Sequence, residues 1–145
     1  MAKNISVRVP DATTEPTAAD HSWGFIGAGP RVANSIFWYD AFAADIGCQG
    51  PTSAGCNISV FGYVFQAAVA DEVLIQTEVF TLPACEGLAS CHLLPITFAT
   101  TFRGLSSLRI RAVVDGKPVS WFVDDLELGW SNSSCAAGKA RAASR

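Results

Sequence analysis

The sequence predicts an all-β chain folded as an antiparallel β-sandwich of the jelly-roll kind, and three observations predict it. Runs rich in Val, Ile, Phe, Thr, Trp and Tyr succeed one another with turn residues between them. An Asp-Gly turn, Asp115-Gly116, joins two of these runs and supplies the positive φ that a tight hairpin needs. Two close cysteine pairs enclose Gly-, Pro- and Ser-rich segments that read as clamped loops.

The expected strands are Ile36 to Tyr39, Ile58 to Phe65, Val73 to Leu82, Ile96 to Phe102, Leu108 to Val114 and Val119 to Leu128. The last two flank the Asp115-Gly116 turn and are expected to pair antiparallel. Short helical turns are expected at most at Ala41 to Ala44 and Gln66 to Asp71. In Leu108 to Val114 the apolar set Leu108, Ile110, Ala112 and Val114 shares one face and Arg109 and Arg111 share the other, so this strand has one wet face. In the final run a strict period of two places Asp124 on the inner face with Phe122, Leu126 and Leu128. An unpaired carboxylate there would cost several kcal/mol, so Asp124 needs backbone N–H groups, an arginine such as Arg103, a cation, or a bulge that turns it outward.

Around this core the chain divides into three parts. Residues 1–22 read as an extension or linker, since residues 10–22 carry two prolines, three threonines and no large apolar side chain. The sandwich is expected over residues 23–135, and residues 136–145 read as a flexible basic tail with no bulky anchor. A chain of 145 residues that is 50% apolar and only 16% charged has material for one well-filled core.

Composition also narrows the function. The net charge is −3 and the ten basic residues form no stripe that could follow a phosphate backbone, which argues against nucleic acid. Apolar stretches are interrupted well short of the roughly 20 residues that cross a bilayer, which argues against membrane insertion. Cys48 with Cys56 and Cys85 with Cys91 suit local disulfides in an oxidising compartment, and Cys135 is left over. Zinc is the rival reading, but it needs closer ligand pairs than these, and His21 and His92 add little. Sequons at Asn4, Asn57 and Asn132 fit a secreted glycoprotein. The start, Met-Ala-Lys-Asn-Ile-Ser, has no apolar signal core, so a secreted origin implies an excised piece whose leader has been replaced by an initiator Met.

No catalytic constellation emerges. Gly27-Ala28-Gly29-Pro30 lacks the helix pattern that a dinucleotide loop requires. His92 beside Cys91 and His21 in the linker are poor partners for a nucleophile. A carboxylate pair for glycosidic chemistry drawn from Asp40, Asp124, Asp125 and Glu127 has no defined separation. The chain is therefore expected to bind and not to catalyse. No cofactor is assigned; Asp124 and Asp125 are hard ligands for calcium, but adjacent acids on opposite faces of a strand reach one ion only through a bulge.

Recognition of a sugar uses a flat aromatic for its apolar face and planar side chains for its hydroxyls. The candidate ligand-binding set is Trp38, Tyr39, Asp40, Arg103, Trp121 and Trp130. Trp and Tyr also commonly fill a sandwich core, which is the competing role for each of them.

The succession N-I-S-V-F-G-Y at 57–63, V-F-T-L at 79–82, I-T-F-A-T-T-F-R-G-L-S-S-L-R-I at 96–110 and W-F-V-D-D-L-E-L at 121–128 resembles galactose-binding-like jelly-roll domains of secreted proteins. The cysteine pairs and the tail W-S-N-S-S-C-A-A-G are similar to carboxy-terminal domains of large Ser/Thr-rich fungal surface proteins. The resemblance implies an extracellular, cell-wall-associated carbohydrate-binding or adhesion module whose partner is a glycan or wall polysaccharide. A cap that contacts proteins or its own copies is the alternative, and a glycoside-acting hydrolase a lesser one. No binding residue is carried over, because the loops of this fold vary, and Ser-Trp-Gly-Phe-Ile-Gly at 22–27 replaces the Gly-Phe-Glu opening, which leaves a family calcium site without its usual start.

Overall fold

The computed structural model describes residues 5–7, 23–51 and 53–144. Two antiparallel sheets stack face to face. The strands are β1 (Ile5–Val7), β2 (Trp23–Gly27), β3 (Tyr39–Cys48), β4 (Gly55–Gln66), β5 (Asp71–Pro83), β6 (Leu94–Thr97), β7 (Ser107–Val114), β8 (Lys117–Pro118) and β9 (Trp121–Trp130). One sheet runs β1-β9-β3-β6; the other runs β2-β7-β4-β5, with β8 paired to β7. Between them lies one core. Ile46, Trp121, Val123 and Leu126 from the first sheet meet Ile58, Val60, Leu108 and Ile110 from the second. The all-β sandwich expected from the strand pattern is thus the observed architecture, and the inward set Leu108, Ile110, Ala112 and Val114 is buried as the alternation requires.

Several local expectations give way. Ser35–Phe37 is a 3-10 turn and not a strand; the Asn34 side chain accepts from the Ile36 N–H (3.2 Å) and holds the chain in that turn until β3 begins at Tyr39. Ala41 to Ala44 is no helical turn but part of β3, where the small Ala41 and Ala44 let the opposite sheet approach. Residues 67–70 form the β4–β5 turn, with Ala70 at φ 52°. The strand expected over Ile96 to Phe102 ends at Thr97, because the chain there crosses between sheets: Phe98 N–H donates to Phe42 O (2.9 Å) and Ser106 N–H donates to Tyr63 O (2.9 Å).

The Asp115-Gly116 turn has both residues at positive φ, 49° and 73°, as a two-residue hairpin demands. Its partner strand is nevertheless only Lys117–Pro118. Beyond Val119, whose N–H donates to Ala112 O (3.1 Å), the chain passes to the other sheet and sends Trp121 into the core, so β7 and β9 do not pair.

Asp124 is exposed, which corrects the strict alternation. Between Ala43↔Glu127 and Asp45↔Asp124 the β9 strand carries one residue more than β3, and Asp125 takes φ 46°. This bulge changes the phase: Trp121 and Val123 point inward before it, and Leu126 after it.

The domain also extends past both expected limits. β1 pairs with β9 through Ile5↔Leu126 and Val7↔Val123, so the first 22 residues are not only an extension; the linker reading of residues 10–22, the Asn4 sequon and His21 lie outside the described residues. The tail is not flexible coil. Cys135–Ala143 forms helix α1, N-capped by Ser134 Oγ accepting from Ala137 N–H (3.2 Å). Arg141 ties it down, donating to Ile36 O (2.6 Å) and Asn132 O (3.0 Å). Disulfides join Cys48 to Cys56 and Cys85 to Cys91, and Cys135 is free and exposed.

Candidate functional site

The residues singled out in the sequence are brought to one end of the sandwich, Trp121 excepted. Tyr39 lies opposite Trp130 and Asp40 opposite Gly129, while Cys48 and Trp121 pair at the far end of the same two strands. Most of these side chains hold the structure together. Trp38 Nε1 donates to Val32 O (2.7 Å), and Tyr39 is buried with its hydroxyl donating to Ile26 O (2.6 Å). Asp40 Oδ1 accepts from Gly104 N–H (2.8 Å) and Ser131 Oγ (2.6 Å), fastening the crossing segment to the end of β9. Arg103 donates to Ala41 O and to Phe102 O (3.0 Å), with its guanidinium 4.4 Å from the Phe42 ring centroid. Trp121 is 1% exposed and is a core residue, so it leaves the ligand set, as does buried Tyr39. Trp130 is 51% exposed, with Arg141 stacked 4.4 Å from its ring.

A different surface gathers accessible aromatics. On the outer face of β2-β7-β4-β5 the register lines up Trp23, Arg111 and Ser59 with Val79, and Phe25, Arg109 and Phe61 with Thr77; Tyr63 follows opposite Ser107. Trp23 is 40% and Phe25 57% exposed. Arginine and aromatic side chains interleave: Arg111 stands 5.3 Å from the Trp23 ring, and Arg109 stands 5.6 Å from Phe25 and 4.0 Å from Tyr63. Trp23 and Phe61 rings lie 5.4 Å apart. Glu72 Oε2 meets Arg109 Nη2 at 3.4 Å and its other oxygen accepts from Ser106 Oγ (2.7 Å), so Arg109 is anchored beside the Phe25 and Tyr63 rings.

The backbone beneath explains why aromatics occupy this face. Trp23-Gly24-Phe25 and Phe61-Gly62-Tyr63 both place a glycine inward between two outward aromatics. A Cβ on Gly24 would come within 2.1 Å of the Trp121 ring, and one on Gly62 within 3.0 Å of Leu105. Large core side chains therefore demand glycine inside, and the aromatics outside cover the backbone that glycine leaves bare. The signal was in the sequence as two aromatic-Gly-aromatic triplets and Arg109-Ile110-Arg111, but it is visible only when outward positions of separate strands are set side by side.

Such a face offers flat π surfaces with planar guanidinium donors beside them. Elsewhere, Asp45 lies opposite Asp124, whose Oδ1 accepts from Asp125 N–H (2.9 Å). Among the described residues no three His, Cys, Asp or Glu side chains are gathered so as to hold a metal ion. His92 is exposed in the loop beside Cys91. Asn57 and Asn132 are both exposed, as sequon asparagines must be to carry a glycan.

A family model described as a domain of unknown function, DUF7371, matches residues 2–141. No curated protein and no solved structure matches the chain.

Proposed function

The chain belongs to the DUF7371 family, and on that premise we propose that it is a carbohydrate-binding module of an extracellular, wall-associated protein, using the outer face of β2-β7-β4-β5 as a flat platform for a polysaccharide. The observation that carries this reading is the contiguous set Trp23, Phe25, Phe61 and Tyr63 interleaved with Arg109 and Arg111. Exposed aromatics stack on the apolar faces of pyranose rings, and guanidinium groups donate to hydroxyls or to the carboxylates of uronic acids. A flat sheet face suits an extended polymer, whereas a single small sugar is better held in a concave pocket. The two disulfides support a location outside the cytosol, and among the described residues no helix is long and apolar enough to cross a membrane. The reading is one of binding, with no catalytic step assigned.

The test is a glycan array and pull-down with neutral and uronate-containing wall polysaccharides, using the native chain, Phe25→Ala, Trp23→Ala and Trp130→Ala. Losing one stacking ring is expected to weaken binding about tenfold in the first two variants, with unchanged circular dichroism, and to leave Trp130→Ala as tight as the native chain. A silent array from folded protein overturns the reading. Loss confined to Trp130→Ala would move the site to the Trp38 and Trp130 end.

A further inference from the structure

We propose that β5 is a self-association edge, through which two copies of this chain pair antiparallel and continue the β2-β7-β4-β5 sheet from one copy into the next. β5 is 13 residues long, ends its sheet, and pairs among the described residues only with β4. A long open edge exposes a row of backbone N–H and C=O groups that another strand can use. Proteins that must stay apart blunt such edges with lysine, internal proline, shortness, bulges or inward charges. Asp71–Pro83 contains no basic residue and its only proline is the last one; its bulge at Ile75 and the inward Glu78 are the devices it does carry. The opposite edge, β2, is 5 residues long. Leu74, Ile75 and Val79 are meanwhile exposed branched side chains, with Ile75 at 45% and Val79 at 57%.

The pattern along β5 is complementary to itself. Laid antiparallel about Thr77, Ile75 meets Val79 of the second copy and Gln76 meets Glu78, with Thr77 at the two-fold axis. The strand's acids are Asp71, Glu72 and Glu78, and in this register no acid faces another. Each Glu78, whose Oε2 accepts from Ala99 N–H (3.0 Å) in its own chain, faces Gln76 of the other, and the Ile75–Val79 apolar pair occurs twice by symmetry. Thr77 and Val79 share the outward face, being opposite Phe61 and Ser59 on β4. The bulge between Gln76 and Leu74 puts one extra residue in β5 and by symmetry falls on both sides of the axis, so the pairing is confined to the central stretch from Ile75 to Val79. A two-fold axis normal to the sheet places both aromatic faces on the same side, so the dimer presents two platforms to one surface. The pairing stands whether or not those platforms bind sugar.

The experiment is light scattering after size exclusion on the full chain over a range of concentrations, with Ile75→Glu, Val79→Lys, their double variant, and Thr77→Cys in a Cys135→Ser background. The native chain is expected to dimerise. Each single charge, facing an apolar partner, is expected to raise the dissociation constant about tenfold or more. The double variant sets the introduced acid opposite the introduced lysine of the other copy and is expected to restore dimer, while Thr77→Cys is expected to cross-link through residue 77 on mild oxidation. A native chain that stays monomeric throughout overturns the proposal. So does a dimer that ignores both charges and gives no link at residue 77, and the cross-link decides the question even if a charged variant fails to fold.

Discussion

The Trp121 indole occupies the space that any side chain at position 24 would need: a Cβ built on Gly24 would lie 2.1 Å from the ring. Trp121 comes from one sheet and Gly24 from the other, so this contact sets how closely β2 approaches the core. It also couples the buried interior to the exposed Trp23 and Phe25 on either side of the glycine.

Gly24→Ala is therefore expected to destabilise the domain by about 1–3 kcal/mol, the usual cost of overfilling a packed core. Trp121→Ala, which leaves a cavity, is expected to cost about 3–5 kcal/mol. Urea denaturation followed by fluorescence and circular dichroism measures both. If Gly24→Ala proves neutral, β2 does not sit where the contact requires.

Burial pushes the Tyr39 phenol far above the ordinary tyrosine range. The unfolded chain loses this proton near pH 10, while the native state keeps it. Stability is therefore complete below about pH 10 and falls as the pH rises further, because the folded state then binds the extra proton. Tyr39→Phe is expected to cost about 1 kcal/mol at neutral pH through loss of the bond to Ile26 O, and to flatten the alkaline decline. Urea midpoints measured from neutral to strongly alkaline pH test this; an equally steep decline in the variant would remove Tyr39 as its source.

Asp40 joins three segments of chain through one carboxylate oxygen. Asp40→Ala is expected to destabilise by about 1.5–3 kcal/mol, as for hydrogen bonds to a charged group. Its local signature is faster amide exchange at Gly104. Unchanged exchange there would mean that the crossing segment is held by its buried Phe102 and Leu105 alone.

Alkylation without reductant is expected to label one thiol in the folded or unfolded chain, Cys135, and full reduction to expose all five cysteines. Intact-mass measurement reads this directly. Removing the Cys48–Cys56 bridge as a double serine variant is expected to cost about 2–3 kcal/mol by freeing the unfolded chain. Labelling of more than one cysteine before reduction would contradict the pairing.

Helix α1 is attached by Arg141, which reaches Ile36 O and Asn132 O and covers Trp130, by Arg31, which donates to Ser144 O at its C-cap, and by the buried Ala137. Arg141→Ala is expected to free the helix and change Trp130 fluorescence, while the sandwich melts within a few degrees of the native chain. A large loss of stability would instead make the helix part of the core's support.

What the sequence determined by itself is what depends on neighbours along the chain. Alternation marked the buried and wet faces of β7, composition marked β4 and β5, and Asp115-Gly116 marked its turn, since each follows from local backbone geometry. The cysteine pairs were legible because their separations are short. Tertiary structure alone decided the rest. The bulge at Asp125, which turned Asp124 outward, arises from pairing with β3 and has no local marker. The passage of β9 into the other sheet, the docking of α1 through Arg141, and the burial of Trp121 likewise depend on partners distant in the chain. The aromatic-Gly-aromatic triplets stood in plain view, yet Trp23 and Phe61 become one surface only when β7 is inserted between their strands. Local periodicity says which side of a strand is wet; which wet sides lie next to each other is set by long-range packing of the core.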